Sequence, residues 1–247
     1  MLLYWGQVYE CLLFKGRGDF MDITYIYHSC FLVETKVCYY LFDYYRKQLP
    51  KLNPEKPILV FASHFHHDHY NKEVFHLLKR QGMKDIHAIL SKDISRRNYP
   101  EEQDIETTCV TFHQHYELPF GTSLETLHST DSGVAFLVTC AEGVIYYAGD
   151  LNDWVWKGEP EQDNRQMTGS YRHEIKMLAG KTIDVAFLPL DPRQEEYYAE
   201  GMRYFLENVD VRVVYPMHYW EKPDIIGRFL AEYPMYRDIV RETEKVR

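Results

Sequence analysis

Apolar positions along this chain fall into short runs of strand length, with helical periods appearing mainly toward the C-terminus. Residues 22–27, 31–34 and 37–42 form a meander whose short linkers predict antiparallel neighbours. The run Pro57-Ile58-Leu59-Val60-Phe61-Ala62 is wholly apolar and ends at a polar cluster, so it predicts a buried strand. A helix is expected from Asn71 to about residue 81, then a strand at 87–90 and a polar stretch from Ser91 to Asp104. Strands are predicted at 107–112, 115–118, 123–128 and 134–140, the last forming a hairpin with 144–148 across the turn Cys140-Ala141-Glu142-Gly143. Residues 151–169 are polar and Trp-bearing and show neither period, while 170–179 read as helical. The remainder alternates: strand 183–188, helix 195–207, strand 211–215, helix 222–232 and a last strand at 235–241. Strands first, then mixed elements, then strict alternation predict an α/β (α+β) architecture. Its layers are two mixed β-sheets packed face to face with helices outside, a four-layer αββα sandwich. One domain covering 21–247 is expected. Residues 1–20, whose apolar patches are broken by Gly6, Gln7 and Glu10, read as an N-terminal extension without the basic n-region of a signal peptide.

The chemistry concentrates where the apolar run at 57–62 ends. Ser63-His64-Phe65-His66-His67-Asp68-His69 reads His-x-His-x-Asp-His. Open α/β sheets place their sites beyond the carboxyl ends of strands. Imidazoles and a carboxylate are ligands that zinc and similar divalent ions accept. His64 and His66 lie two apart, so an extended backbone points them the same way, whereas Asp68 and His69 diverge at the helix entry. That geometry suits two neighbouring metals better than one. Three later positions share the same context, a metal-competent residue just past an apolar strand: His128, Asp150 and His218.

Composition narrows the function. The net charge of −9 argues against a protein built for non-specific nucleic-acid binding, and no run of Lys or Arg marks a membrane patch. No apolar stretch is long enough to span a bilayer. The five cysteines are odd in number, widely spaced and without a Cys-x-x-Cys, which reads as reduced thiols in a cytoplasmic protein. The 21 tyrosines suggest that some line a pocket.

The ordered set of motifs over residues 21–220 resembles the metallo-β-lactamase-fold hydrolases. The segment Tyr27-His28-Ser29-Cys30-Phe31-Leu32-Val33-Glu34 is similar to the branch containing the ascorbate-6-phosphate lactonases. The resemblance implies that His64, His66 and His128 hold one metal, that Asp68, His69 and His218 hold a second, and that Asp150 bridges them. It implies two divalent ions, zinc first, with manganese or iron as alternatives. A metal-bridging hydroxide would then cleave an ester, lactone or phosphodiester bond in a small anionic substrate, with Asp68 and Asp150 as catalytic carboxylates. Substrate contacts are expected from Arg193, placed after a strand end, from Arg165 and Tyr171 in a lid spanning 151–172, and from His28. His67, His113 and His115 read as surface residues. The alternatives are a nuclease on the same fold, which the charge disfavours, and a non-heme diiron redox protein of the flavodiiron type, in which Glu replaces the residue at His66. A homo-oligomer is compatible with all of these.

Overall fold

The computed structural model describes residues 21–242, together with the two-residue strand Leu12–Leu13. That strand, β1, pairs antiparallel with β2; the rest of 1–20, where an extension was expected, lies outside the described residues. The first sheet runs in chain order through β1, β2 (Asp22–Tyr27), β3 (Cys30–Glu34), β4 (Tyr39–Phe42), β5 (Ile58–Ala62), β6 (Ile86–Ser91) and β7 (Glu106–Val110). Pairings as far as β4 are antiparallel, and those from β4 to β7 are parallel. The second sheet has the order β13-β12-β11-β10-β9-β8, built from β8 (His115–Leu118), β9 (Thr122–His128), β10 (Val134–Cys140), β11 (Gly143–Tyr147), β12 (Thr182–Pro189) and β13 (Asp210–Met217). Here β8 to β11 are antiparallel and β11 to β13 parallel. Parallel neighbours require crossovers. Helices α1 (Glu73–Arg80), α2 (Glu161–Lys176) and α3 (Glu200–Asn208) supply three of them, and α4 (Asp224–Glu232) follows β13. The result is the expected αββα sandwich of two mixed sheets.

The strand period explains the layers. In β5, Leu59 and Phe61 face the space between the sheets, while Ile58, Val60 and Ala62 face the outer layer with Val74, Phe75 and Leu78 of α1. The same alternation splits Phe31 and Val33 from Cys30 and Leu32 in β3. A strand buried on both faces reads as a continuous apolar run, which is how β4 and β5 look in the sequence. Between the sheets, Phe42 stacks on Tyr147 with ring centres 4.7 Å apart, and Phe31 meets Phe187 at 4.5 Å.

Three elements differ from expectation. The helix predicted at 195–207 begins only at Glu200, after a 3-10 turn over Pro192–Tyr197 in which Glu195 sits at φ +52°. The segment at 151–169 is not wholly irregular: α2 begins at Glu161, directly after Pro160. Its buried side chains are only Tyr171, Glu174 and Ile175, all in the last two turns, so the first half carries no apolar stripe to betray it. The last predicted strand at 235–241 is a 3-10 turn, Pro234–Tyr236, followed by a single bridge between Val214 and Val240.

Candidate metal centre

Most of the polar residues singled out above gather at one edge of the sandwich, where β4, β5, β11, β12 and β13 end and β2 turns into β3. Two glycines let the sheets close on each other there. Gly133 has φ +70°, and a Cβ on it would lie 1.9 Å from the Ser63 carbonyl oxygen. Gly149, at φ +53°, faces the Ser63 side chain at 2.7 Å by the same measure. The Val134 N–H donates to the Ser63 carbonyl at 3.0 Å, stitching the second sheet to the histidine motif of the first.

Buried partners fix the tautomers of three histidines. Asp43, just past β4 and wholly buried, accepts from the Ser63 N–H at 2.7 Å, the Ser63 hydroxyl at 2.6 Å and His69 Nδ1 at 2.7 Å. Because the Ser63 proton goes to Asp43, its oxygen accepts from His64 Nδ1 at 2.9 Å. Asp191, past β12 and also buried, accepts from His218 Nδ1 at 2.9 Å. Each imidazole therefore spends its Nδ1–H on a fixed partner and turns its Nε2 toward the cluster, the nitrogen left for a metal.

Those Nε2 atoms converge on Asp150. His69 Nε2 lies 3.2 Å from Asp150 Oδ1, His218 Nε2 3.5 Å from the same oxygen, and His64 Nε2 3.5 Å from Oδ2. His66 Nδ1 is 3.0 Å from His64 Nε2 and 3.7 Å from Asp131. His28 Nε2 is 3.5 Å from Asp68. Besides Asp43, His64 and His69, already tied by the hydrogen bonds above, two adjacent groups result: His28, Asp68, His69 and His218, and His64, His66, Asp131 and Asp150, with the ligand atoms in each within 4.8 Å of one another.

The electrostatics follow from burial. Burial pushes His28 and His64 down to about 4, leaving both neutral at pH 7. Burial would also lower His69 and His218, but Asp150, together with Asp43 and Asp191 respectively, outweighs it and raises both. Burial would raise Asp68 and Asp150, yet the surrounding imidazoles hold both below the usual carboxylate range. Asp131 is raised, by burial and by its neighbour Asp150.

The fit to a metal rests on atoms left without partners. His28 Nε2, His69 Nε2 and Asp150 Oδ1 are buried and accept or donate no hydrogen bond among the described residues. His69 Nε2 and Asp150 Oδ1 lie 3.2 Å apart without a hydrogen bond joining them. Buried polar atoms are rarely left in that state, and a divalent cation among them satisfies every one. The donor set of nitrogens and carboxylate oxygens suits zinc, manganese or iron.

Other expected site residues are placed differently. His128, the last residue of β9, is not in either group: its ring packs on Phe112 at 4.2 Å, and its N–H donates to the buried Glu174. Asp131, three residues on, occupies the position beside His66 instead. Arg165 lies on the exposed face of α2, paired with Glu161 one turn earlier, and does not line the cleft. Tyr171 is buried in the core, its hydroxyl donating to the Gly201 carbonyl at 2.7 Å, and touches no cleft. Arg193 does line the cleft, but its Nε and Nη2 are committed to Asp191. His67 faces solvent, and His115 pairs with Glu117 at the surface. Sequence reading overlooked Asp43, Asp131 and Asp191. Each follows a strand or its turn, but a lone Asp there also reads as a turn or cap residue.

The open cleft over the cluster has a volume of about 460 Å³. Asp68, Asp131, Asp150, Trp154, Trp156, Arg193 and Trp220 are among the residues that line it. A second cavity of about 780 Å³ lies along α2 and shares Thr130, Asp131 and Met167 with it.

A two-sheet αββα sandwich with a His/Asp cluster beyond its strand ends defines a class of metal-site proteins. The family described as Beta-lactamase superfamily domain matches residues 22–165, more than half of the chain, and this chain belongs to it, with the metallo-β-lactamase fold. Among solved structures it resembles a protein of Parabacteroides distasonis provisionally named a metal-dependent hydrolase. That match has 17% identity and a TM-score of 0.61, covering 95% of this chain and 98% of the other. It also resembles Igni18, a metallo hydrolase of the archaeon Ignicoccus hospitalis, at 17% identity and TM-score 0.56, covering 92% and 96%. CmlA, a diiron β-hydroxylase from Streptomyces venezuelae, matches at 12% identity and TM-score 0.56 over 92% of this chain but only 53% of that one. At these identities the likeness is one of fold. No curated protein matches the chain in sequence. No helix among the described residues is long and apolar enough to cross a membrane.

Proposed function

We propose that the chain is a hydrolase of ester, lactone or phosphodiester bonds that works with two divalent metal ions. The observation that carries this reading is the convergence of histidine Nε2 atoms and an unpartnered carboxylate oxygen on one buried point. His64, His66 and Asp131 would hold one ion, and Asp68, His69 and His218, with His28 beside them, the other; Asp150 lies between the two groups. When bound, such ions supply Lewis acidity and make water acidic enough to attack near neutral pH.

The chain's own residues do the rest. Asp43 and Asp191 hold the imidazoles in one tautomer and one orientation. Asp68 faces the cleft as a carboxylate, within 3.5 Å of His28, and can take a proton there and share it with that imidazole. Arg193 keeps Nη1 without a protein partner among the described residues, so it can donate to a substrate oxygen. Trp154 donates from Nε1 to the Asp150 carbonyl at 2.8 Å and fixes the strand end that carries the central carboxylate. A substrate with its negative charge at the reacting group suits one free guanidinium donor better than a polyanion would. Free Cys30 and Cys38 in the interior support a cytoplasmic setting.

The test is metal content together with turnover. Protein loaded with zinc, manganese or iron is assayed on a chromogenic phosphodiester, an aryl ester and a lactone, with His64→Ala as control. Turnover lost in the variant supports the reading. Protein that retains none of these ions on gel filtration overturns it.

A further inference from the structure

Three of the chain's four tryptophans line the metal cleft, and they form one layered wall. Trp154 and Trp156 lie nearly parallel, 4° apart in plane with centroids at 5.9 Å. The Arg193 guanidinium follows, 5.9 Å from the Trp156 ring and 4.6 Å from the Trp220 ring. Each layer is pinned from behind. Asn164 on α2 holds the Trp156 backbone through both its N–H and its carbonyl. Asp191 takes the Arg193 guanidinium and also accepts from Trp220 Nε1 at 3.2 Å.

Trp220 is the telling residue. Its backbone sits at φ +48°, between His218 at +63° and Glu221 at +58°. A bulky side chain is costly in that left-handed region, where Gly or Asn is the ordinary occupant. The residue is 37% exposed, and its ring lies against His28 at 4.4 Å and His218 at 5.5 Å. Strained backbone of this kind clusters at ligand clamps and active sites. Arg193 is the one Lys or Arg lining the cleft among the described residues, and Asp191 neutralises most of its charge. This part of the cleft lining is therefore rich in aromatic surface and nearly neutral.

We infer that this wall is a recognition subsite for a planar aromatic or unsaturated group of the substrate, attached to the anionic or carbonyl centre that the His/Asp cluster receives. This rests on the hydrolase reading and names its substrate class: aryl or heteroaryl esters and phosphoesters in preference to short alkyl ones. Trp220 and Trp156 set the preference, and Arg193 Nη1 fixes the orientation of the polar end.

The test uses full-length, metal-loaded protein and two non-hydrolysable probes, phenylphosphonate and methylphosphonate, with affinity read by calorimetry and by quenching of tryptophan emission. Phenylphosphonate is expected to bind about tenfold or more tightly, the scale set by moving a phenyl ring out of water. Trp220→Gly is expected to abolish that difference, with the larger loss falling on phenylphosphonate. Its melting temperature is expected to fall, since the lost ring contacts with His28, His218 and Arg193 outweigh the relieved backbone, so affinity is read on protein shown to be folded. Trp220→Phe should keep part of the preference. Equal affinity for the two probes, or a folded Trp220→Gly protein that keeps the full preference for phenylphosphonate, overturns the inference. Failure of the hydrolase reading shows separately, as loss of metal retention or of turnover on every ester.

Discussion

Replacing Asp43 with Asn is the most informative single perturbation of this centre. The backbone at Asp43 has φ +44°, which Asn tolerates, and the two side chains have nearly the same volume. Only the acceptor chemistry changes. Oδ1 takes the Ser63 N–H at 2.7 Å, and Oδ2 takes the Ser63 hydroxyl at 2.6 Å and His69 Nδ1 at 2.7 Å. The Tyr147 hydroxyl, 2.9 Å from Oδ2, can give its one proton there or to the Ser29 carbonyl at 2.7 Å. An amide keeps one acceptor and turns an NH2 toward donors, whichever way it is flipped. One buried donor left unpaired costs about 1–3 kcal/mol, and charge-assisted bonds weaken as well, so about 2–4 kcal/mol is expected. For a chain of this size that is a fall in Tm of about 5–15 °C in chelator-treated protein. Loss of an outer partner of a metal-ligating histidine weakens metal affinity about 10–100-fold. At a fixed excess of zinc or manganese, the metal-induced rise in stability then shrinks by about 1.4–2.7 kcal/mol. Thermal unfolding with chelator and along a metal titration measures both effects. Tyr147→Phe is the control: it should cost only about 1 kcal/mol and leave the metal-induced shift intact. An Asn variant that melts with wild type in chelator and gains the same shift from metal would refute the hub assigned to Asp43.

Other outcomes separate the structure from the sequence expectation. His128→Ala should leave metal affinity within a few-fold of wild type, whereas Asp131→Ala should weaken it about tenfold or more, as titration with a competing chelator would show. If His128 proves to matter and Asp131 does not, the grouping around His66 is wrong. Gly133→Ala must drive a methyl into the Ser63 carbonyl oxygen, so a loss of about 2 kcal/mol or more is expected in urea unfolding; an unchanged midpoint contradicts that close approach. Tyr171→Phe should cost about 1 kcal/mol of stability through its lost bond to Gly201 and leave KM untouched; a KM change would restore it to the substrate site.

Those contrasts mark where sequence reading reached and where it stopped. The sandwich was legible because burial on both faces leaves a direct trace. Runs such as 57–62 are apolar throughout, and parallel neighbours must be joined by crossovers, so the layers follow from order alone. The His-x-His-x-Asp-His motif was legible because its four residues are local and chemically rare together. The first half of α2 was hidden because it packs almost nothing. Its register is set instead by Asn164 bonding back to Trp156 and by Thr168 donating to Asp153, contacts without a periodic signature. Arg165 and Tyr171 were assigned to a lid on the assumption of a loop; once the segment is helical, one falls on the solvent face and the other on the core face.

The difference at His128 is of another kind and more instructive. A strand end specifies position only to within the turn that follows it, and the turn after β9 runs from Ser129 to Gly133 before β10 returns. Which residue of such a turn meets His66 depends on how closely the turn approaches the histidine motif, and that distance is set by Gly133 and Gly149 packing on Ser63. With the turn drawn in that far, Asp131 is carried over the cluster to 3.7 Å from His66. His128 is left behind at the strand end, with its ring on Phe112 and its N–H on Glu174. The composition of the centre thus depends on two residues that contribute no ligand atom. A larger residue at Gly133 should withdraw Asp131 along with the turn. Gly133→Ala is therefore expected to weaken metal binding as well as stability. The two losses should be separable, because the Asp131→Ala variant reproduces the first without the second.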